Sequence, residues 1–210
     1  MEETGGWMAP SGRSVPVSHL KKFILIVPGL LLGVLLVTAV VAAKEEKVAD
    51  AKAARAEGPI RAVCVLRGTM GNRVRGRIVF VQQGDMVRIT GQVRGLTPGK
   101  HGFHVHEFGD ISAPDGTATG GHYNPTGKKH GKPSDEERHV GDLGNIEANA
   151  EGLARINMTD KVIKLSGPHS IIGRGMIVHA KPDDFGQPTG NAGARVAQGV
   201  VGLAGPAKKK

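Results

Sequence analysis

Six of the nine histidines in this 210-residue chain, His104, His106, His122, His130, His139 and His179, together with Asp142, carry side chains that bind transition metals through imidazole nitrogen or carboxylate oxygen. His104 and His106 stand two apart in Gly102-Phe103-His104-Val105-His106-Glu107-Phe108-Gly109-Asp110, so on an extended strand both project to one face and can grip one ion. A lone His-x-His of this kind is more often packing or a surface accident; the full set of seven is another matter. Seven ligands are too many for one ion and too few for two independent four-ligand sites, so one ligand must be shared. A deprotonated imidazole binds metal through both nitrogens, and His122, between the strand pair and the later cluster, is the natural bridge. His122, His130, His139 and Asp142 then form a closed nitrogen and oxygen set suited to tetrahedral zinc. His104, His106, His122 and His179 form an all-imidazole set suited to copper, which changes oxidation state as zinc cannot. His19, His101 and His169 are read as hydrogen-bonding or exposed residues.

These ligands need a scaffold, and the surrounding chain reads as strands. Ile60 to Arg67, Arg73 to Gln82 and Met86 to Arg94 are short, rich in Val and Ile, and separated by Gly-containing turns. In the second, Val74, Ile78 and Phe80 share one parity while Arg73, Arg75 and Arg77 share the other, the pattern of a sheet with one wet face. Leu96-Thr97-Pro98-Gly99 turns into the His104 strand. The stretch from His122 to Asp142 is too long and too rich in Gly and Pro for a strand, and a bound metal would give such a loop its reason. Val140 to Glu147, Leu153 to Met158, Met176 to Ala180 and Arg195 to Leu203 follow. About eight antiparallel strands without a long helical period predict an all-β fold, a Greek-key barrel or sandwich.

The ends of the chain differ from this domain. Residues 1–22 end in Lys21-Lys22, and residues 23–43 are an uninterrupted uncharged run, long enough at roughly 20 residues to cross a bilayer as a helix. The small residues Val41-Ala42-Ala43 equally suit signal-peptidase cleavage, so the run is a signal peptide or a retained membrane anchor. In either case the Lys pair stays in the cytoplasm and the domain is exported, to a periplasmic or extracellular location. Residues 44–58 mix charges and Ala as a polar linker, 59–205 form the domain, and 206–210 make a basic tail. From Pro59 onward 21 Lys and Arg outnumber 13 Asp and Glu. This excess attracts anions, lies against acidic headgroups or keeps the protein soluble. Trp7 and Tyr123 are the only Trp and Tyr, which argues against a base-stacking nucleic-acid surface. The single cysteine, Cys64, sits in an apolar strand and is read as buried and inert.

At the ligand residues the chain resembles the copper/zinc superoxide dismutase family, in its bacterial form. Gly102 to Asp110 is similar to the family's copper strand, and Gly121-His122-Tyr123-Asn124-Pro125 to its bridging-histidine segment. His130-Gly131 and Asp135 to Asn145 resemble its zinc loop, and Val178-His179-Ala180 its last copper ligand. Gly190-Asn191-Ala192-Gly193-Ala194-Arg195 resembles the segment with the active-site arginine. Over roughly Ala62 to Ala204 the resemblance implies an enzyme that converts superoxide to oxygen and peroxide by Cu(II)/Cu(I) cycling. In it His122 leaves the reduced copper, takes up a proton and passes it on. Taken alone, Arg195 would be an ordinary surface arginine; in this motif it would orient the superoxide anion. Asp183 resembles the carboxylate that links a copper histidine to a zinc histidine, with Asp184 an adjacent competitor.

Two departures bear on these expectations. The family's intrachain disulfide would join the loop after the copper strand to the position of Gln198, but this loop reads Ser112-Ala113-Pro114-Asp115-Gly116 and the bridge is absent. Hydrogen bonds or metal must replace it. The resemblance also implies a homodimer, and because the same loop often shapes the family's dimer contact, its altered sequence bears on that expectation too. The Pro182 to Ala194 segment is shorter than in the family's animal enzymes and resembles bacterial members; it lacks acidic and lysine steering residues, which a net positive field could replace. The alternative is a non-catalytic exported module that buffers or delivers copper and zinc. A structural or adhesive sandwich would have no use for seven ligands.

Overall fold

Alternation at every second residue builds the wall of this molecule. A computed structural model describes residues 58–205; the segments 1–22 and 23–43, nearly all of the 44–58 linker and the 206–210 tail lie outside the described residues. Eight strands follow in order: β1 (Arg61–Gly68), β2 (Arg75–Gln83), β3 (Met86–Arg94), β4 (Gly99–His106), β5 (Asp142–Ala148), β6 (Leu153–Asp160), β7 (Gly175–His179) and β8 (Arg195–Leu203). On β1 the residues Ala62, Cys64 and Leu66 point inward, and on β2 Ile78 and Phe80 do, while the arginines of β2 face out. The strands pair antiparallel and close in the order β1-β2-β3-β6-β5-β4-β7-β8. The crossings from β3 to β4 and from β6 to β7 make this a Greek-key barrel, which leaves no open sheet edge.

Phe80, Phe103, Leu66, Ile78, Ile89 and Met176 fill the interior. Each such side chain contributes roughly 1.5–3 kcal/mol through removal from water. Cys64 is fully buried within this cluster, and burial pushes its thiol up to about 12, which makes it unreactive. The strand bounds differ from the sequence expectation by up to two residues: β2 begins at Arg75 and not at Arg73, β6 runs on from Met158 to Asp160, and β5 begins at Asp142 and not at Val140. Gly141 is instead used in a backbone relay: Val105 N–H donates to Gly141 O, Gly141 N–H to Tyr123 O and Tyr123 N–H to Val105 O, all at 2.9 Å. That relay fixes the end of β4, the residue after His122 and the residue before Asp142 to one another.

Candidate metal centre

Most strands of an antiparallel barrel have one wet face, yet β4 is buried on both faces from His101 to His106. Phe103 and Val105 point to the core, so His104 and His106 point out of the barrel, where the 107–141 and 180–194 loops cover them. The register between β4 and β5 shifts between Gly102 and His104, and that between β7 and β8 shifts between Val178 and His179. Such bulges re-aim side chains, and both occur at metal-type residues. A bridge between His106 and His122 brings the loop histidine to the strand pair.

Two groups result. His104, His106, His122 and His179 offer ligand atoms within 4.8 Å of one another, as do His122, His130, His139 and Asp142; all are buried and His122 belongs to both. Its Nδ1 lies 2.8 Å from Asp142 Oδ1 and 3.4 Å from His139 Nδ1, so the opposite nitrogen of the ring turns to the first group. Ring centroids of His104 and His106 stand 4.1 and 5.2 Å from that of His122.

Hydrogen bonds choose the free nitrogen of each ring. His106 Nδ1 donates to Gly120 O at 2.9 Å and His179 Nδ1 to Gly193 O at 3.0 Å, while His104 Nε2 donates to Asp183 Oδ2 at 2.8 Å. The nitrogens left over, His106 Nε2, His179 Nε2 and His104 Nδ1, are buried with no partner. Buried polar atoms are rarely left so, and three that converge on one point are what a cation of nitrogen preference would satisfy. In the second group His130 Nδ1 stands 2.9 Å from Asp142 Oδ2 without a hydrogen bond, and His139 Nδ1 stands 3.1 Å from Asp142 Oδ1. Three δ nitrogens and one carboxylate therefore face a common centre, a donor set that fits zinc.

The charges around the centre are shifted in opposite senses. Burial lowers His122 to about 4 and His179 to about 3, and burial with the neighbouring His122 holds His106 well below its ordinary value. Burial pulls His130 down too, but the carboxylates of Asp142 and Asp183 beside its two nitrogens outweigh it and raise it to about 9. Burial would raise the carboxyls of Asp142 and Asp183; the histidines bonded to each hold both well below the usual range instead.

Asp183 is buried and touches both groups, with Oδ2 on His104 Nε2 and Oδ1 on His130 Nε2 at 3.0 Å. Asp184 is exposed and faces Asn191, away from both. Gly190 leaves Asp183 its room: a Cβ there would lie 1.8 Å from Asp183 Oδ1, and its φ of 76° favours glycine as well. Arg195 sits half-buried at the rim. Its guanidinium donates to Gly116 O, to Thr119 Oγ1 at 2.9 Å and to Gly120 O at 2.7 Å. Gly120 O thus receives both Arg195 and His106.

Two supports escaped the sequence reading. Asn145 clamps Asp183 reciprocally, its amide donating to Asp183 O at 2.9 Å and its oxygen accepting from Asp183 N at 2.8 Å. Arg138 is buried, paired with Asp160 at 2.5 Å and donating to Asp142 O at 2.7 Å. An arginine beside a ligand histidine gives no sign in sequence that its partner lies on another strand. Where the resemblance implies a disulfide, Gln198 Nε2 donates to Ala113 O at 3.0 Å. His101, expected to be hydrogen-bonding or exposed, is buried, its two nitrogens 2.8 Å from Thr97 O and His179 O.

Two comparisons with known proteins bear on the centre. The family described as copper/zinc superoxide dismutase (SODC) matches residues 74–201. A solved structure titled as that of the clock protein EA4 is 47% identical over 70% of this chain and 96% of that one, with a TM-score of 0.64.

Proposed function

This chain belongs to the copper/zinc superoxide dismutase family, and from that premise we propose that it converts superoxide to oxygen and hydrogen peroxide outside the cytoplasm. The observation that carries the reading is the set of unpartnered nitrogens on His104, His106 and His179 around a ring, His122, whose other face is turned to Asp142. His104, His106, His122 and His179 would hold copper, and His122, His130, His139 and Asp142 would hold zinc. Copper bound there would supply one-electron exchange between its two oxidation states, so that one superoxide is oxidised and a second reduced.

The chain's own residues do the rest. Arg195 keeps a permanent charge beside the pocket, and its planar fork, braced on the 116–120 loop, orients a small anion. His122 holds a proton at the nitrogen facing the copper set and donates it to the reduced product. Asp183 holds His104 and His130 in fixed tautomers, so that movement of His122 leaves its neighbours in position. The basic balance from Pro59 onward supplies an attractive field for an anionic substrate. The uncharged 23–43 run is the reason to set the activity in an exported compartment.

The test is a purified full chain loaded with copper and zinc, with metals counted and superoxide decay followed for the parent and His122→Ala. Two ions with turnover that His122→Ala abolishes are expected. Two ions without turnover would select metal buffering or delivery, and no bound ion would remove both readings. Cleavage of the 23–43 run is read separately, from the mass of the exported protein.

A further inference from the structure

The barrel order sets β2 and β3 opposite β4 and β7, so the wall formed by β1, β2, β3 and β6 faces away from the metal centre. The outward positions of this wall carry six exposed arginines, Arg67, Arg75, Arg77, Arg88, Arg94 and Arg155, and no carboxylate. Register stacks them. Arg67 lies opposite Arg75 and Arg75 opposite Arg94, on three neighbouring strands. Like charges in direct cross-strand register destabilise a sheet. Among the described residues none of the six has an acidic partner; Arg67, Arg88 and Arg94 bond only to neutral oxygens of Ile111, Asn157 and Gln92. Between them opens a shallow depression of about 450 Å³ lined by Val65, Arg75, Arg77, Gln92 and Arg94.

We propose that this wall docks on a bilayer surface rich in anionic phospholipid headgroups. Guanidinium groups bind phosphate oxygens in pairs, and a basic surface is drawn to an anionic leaflet within a Debye length. The occupant follows from the chain itself. A 21-residue uncharged run ends at Ala43, and the 15 residues of the 44–58 linker reach at most about 50 Å before β1, whose outward residues belong to the wall. No aromatic residue stands on the outward positions of the four strands, which disfavours single-stranded nucleic acid. Docking by this wall leaves Arg195 and the metal centre turned to solvent. The inference concerns binding and is read without turnover.

The full chain is presented to nanodiscs of phosphatidylcholine, alone or with one third phosphatidylglycerol, and labelled with the arginine reagent phenylglyoxal; peptide mass spectrometry gives the rate at each site. Phosphatidylglycerol should slow labelling of Arg75, Arg77 and Arg94 by about fivefold or more, and 0.5 M salt should restore it. Arg174, stacked on Tyr123, is the internal reference and should not change. In the variant Arg75→Gln, Arg77→Gln, Arg94→Gln, which relieves like-charge contacts and leaves the metal centre intact, protection at Arg88 and Arg155 should disappear. Equal labelling on the two discs would overturn the proposal. So would protection by soluble heparin at matched charge with none from the discs, which would assign the wall to a linear polyanion.

Discussion

Asp183 is the single residue on which most of the centre's order depends, since one buried carboxylate orients His104 of one ligand group and His130 of the other. Asp183→Asn keeps the shape but leaves His104 Nε2 and His130 Nε2 facing one oxygen and one amide in place of two charged acceptors. We expect affinity for both metals to fall about 10–100-fold, measured by competition with a chromophoric chelator. His130 gives a second residue-scale expectation. Raised to about 9, it is protonated at pH 7 in the metal-free chain, and zinc requires the neutral ring. Zinc uptake at pH 7 should therefore release about one proton from this residue. Titration calorimetry of the parent in buffers of different ionisation enthalpy reads that release; zinc uptake with no proton released at pH 7 would show that His130 is neutral before zinc arrives.

At the scale of elements, the 107–120 loop has to hold Arg195 and His106 through Gly120 O, and no covalent bond ties it down. Arg67 on Ile111 O, Gln198 on Ala113 O and the Met70 amide on Pro114 O pin it to β1, β8 and the turn after β1. Gln198 is the buried one of these; its amide nitrogen makes the bond and its amide oxygen has no partner. Gln198→Ala should cost about 0.5–1.5 kcal/mol by removing the bond to Ala113 O, which keeps the Gly116 N–H as its other partner. If the bond also positions Arg195, kcat/KM for superoxide falls while bound metal stays constant. A lower Tm with unchanged kcat/KM would restrict Gln198 to stability. The register shifts of β4 against β5 at His104 and of β7 against β8 at His179 work at the same scale, interrupting the ladder where two of the copper-type ligands stand.

At the scale of the whole molecule, the metal-free barrel carries opposed titrations. His130, raised, contributes stability that is complete below its ordinary value of 6.5 and is lost as pH rises through about 9. His122 and His179, lowered to about 4 and about 3, are neutral when folded, so below pH 6.5 the unfolded chain binds protons the folded chain does not. The Tm of the metal-free protein should therefore peak near pH 6.5 and fall on both sides, and metal should flatten the profile; calorimetry across pH 4–10 reads it. With no disulfide among the described residues, chelation of both metals should also lower Tm sharply, and a small fall would show that hydrogen bonds alone hold the loops. The excess of basic residues predicts that the rate with superoxide declines as ionic strength rises. A rate indifferent to salt would remove electrostatic guidance by the whole molecule.

The ligand types, their order and the parity of the strands were legible in the linear chain, because a two-residue alternation and a run of Gly and Pro are local properties. His104-x-His106 and the arginines of β2 needed no knowledge of any neighbour. Tertiary structure alone decided which nitrogen of each ring is left free, since that depends on Gly120 O, Gly193 O and Asp183, 14 or more residues away. It also decided that the sheet closes into a barrel, that Gln198 meets Ala113, that Arg138 pairs with Asp160, and that Arg67, Arg75 and Arg94 stack. Periodicity tells which way a side chain points; register and closure, set by packing between distant segments, decide what it meets there.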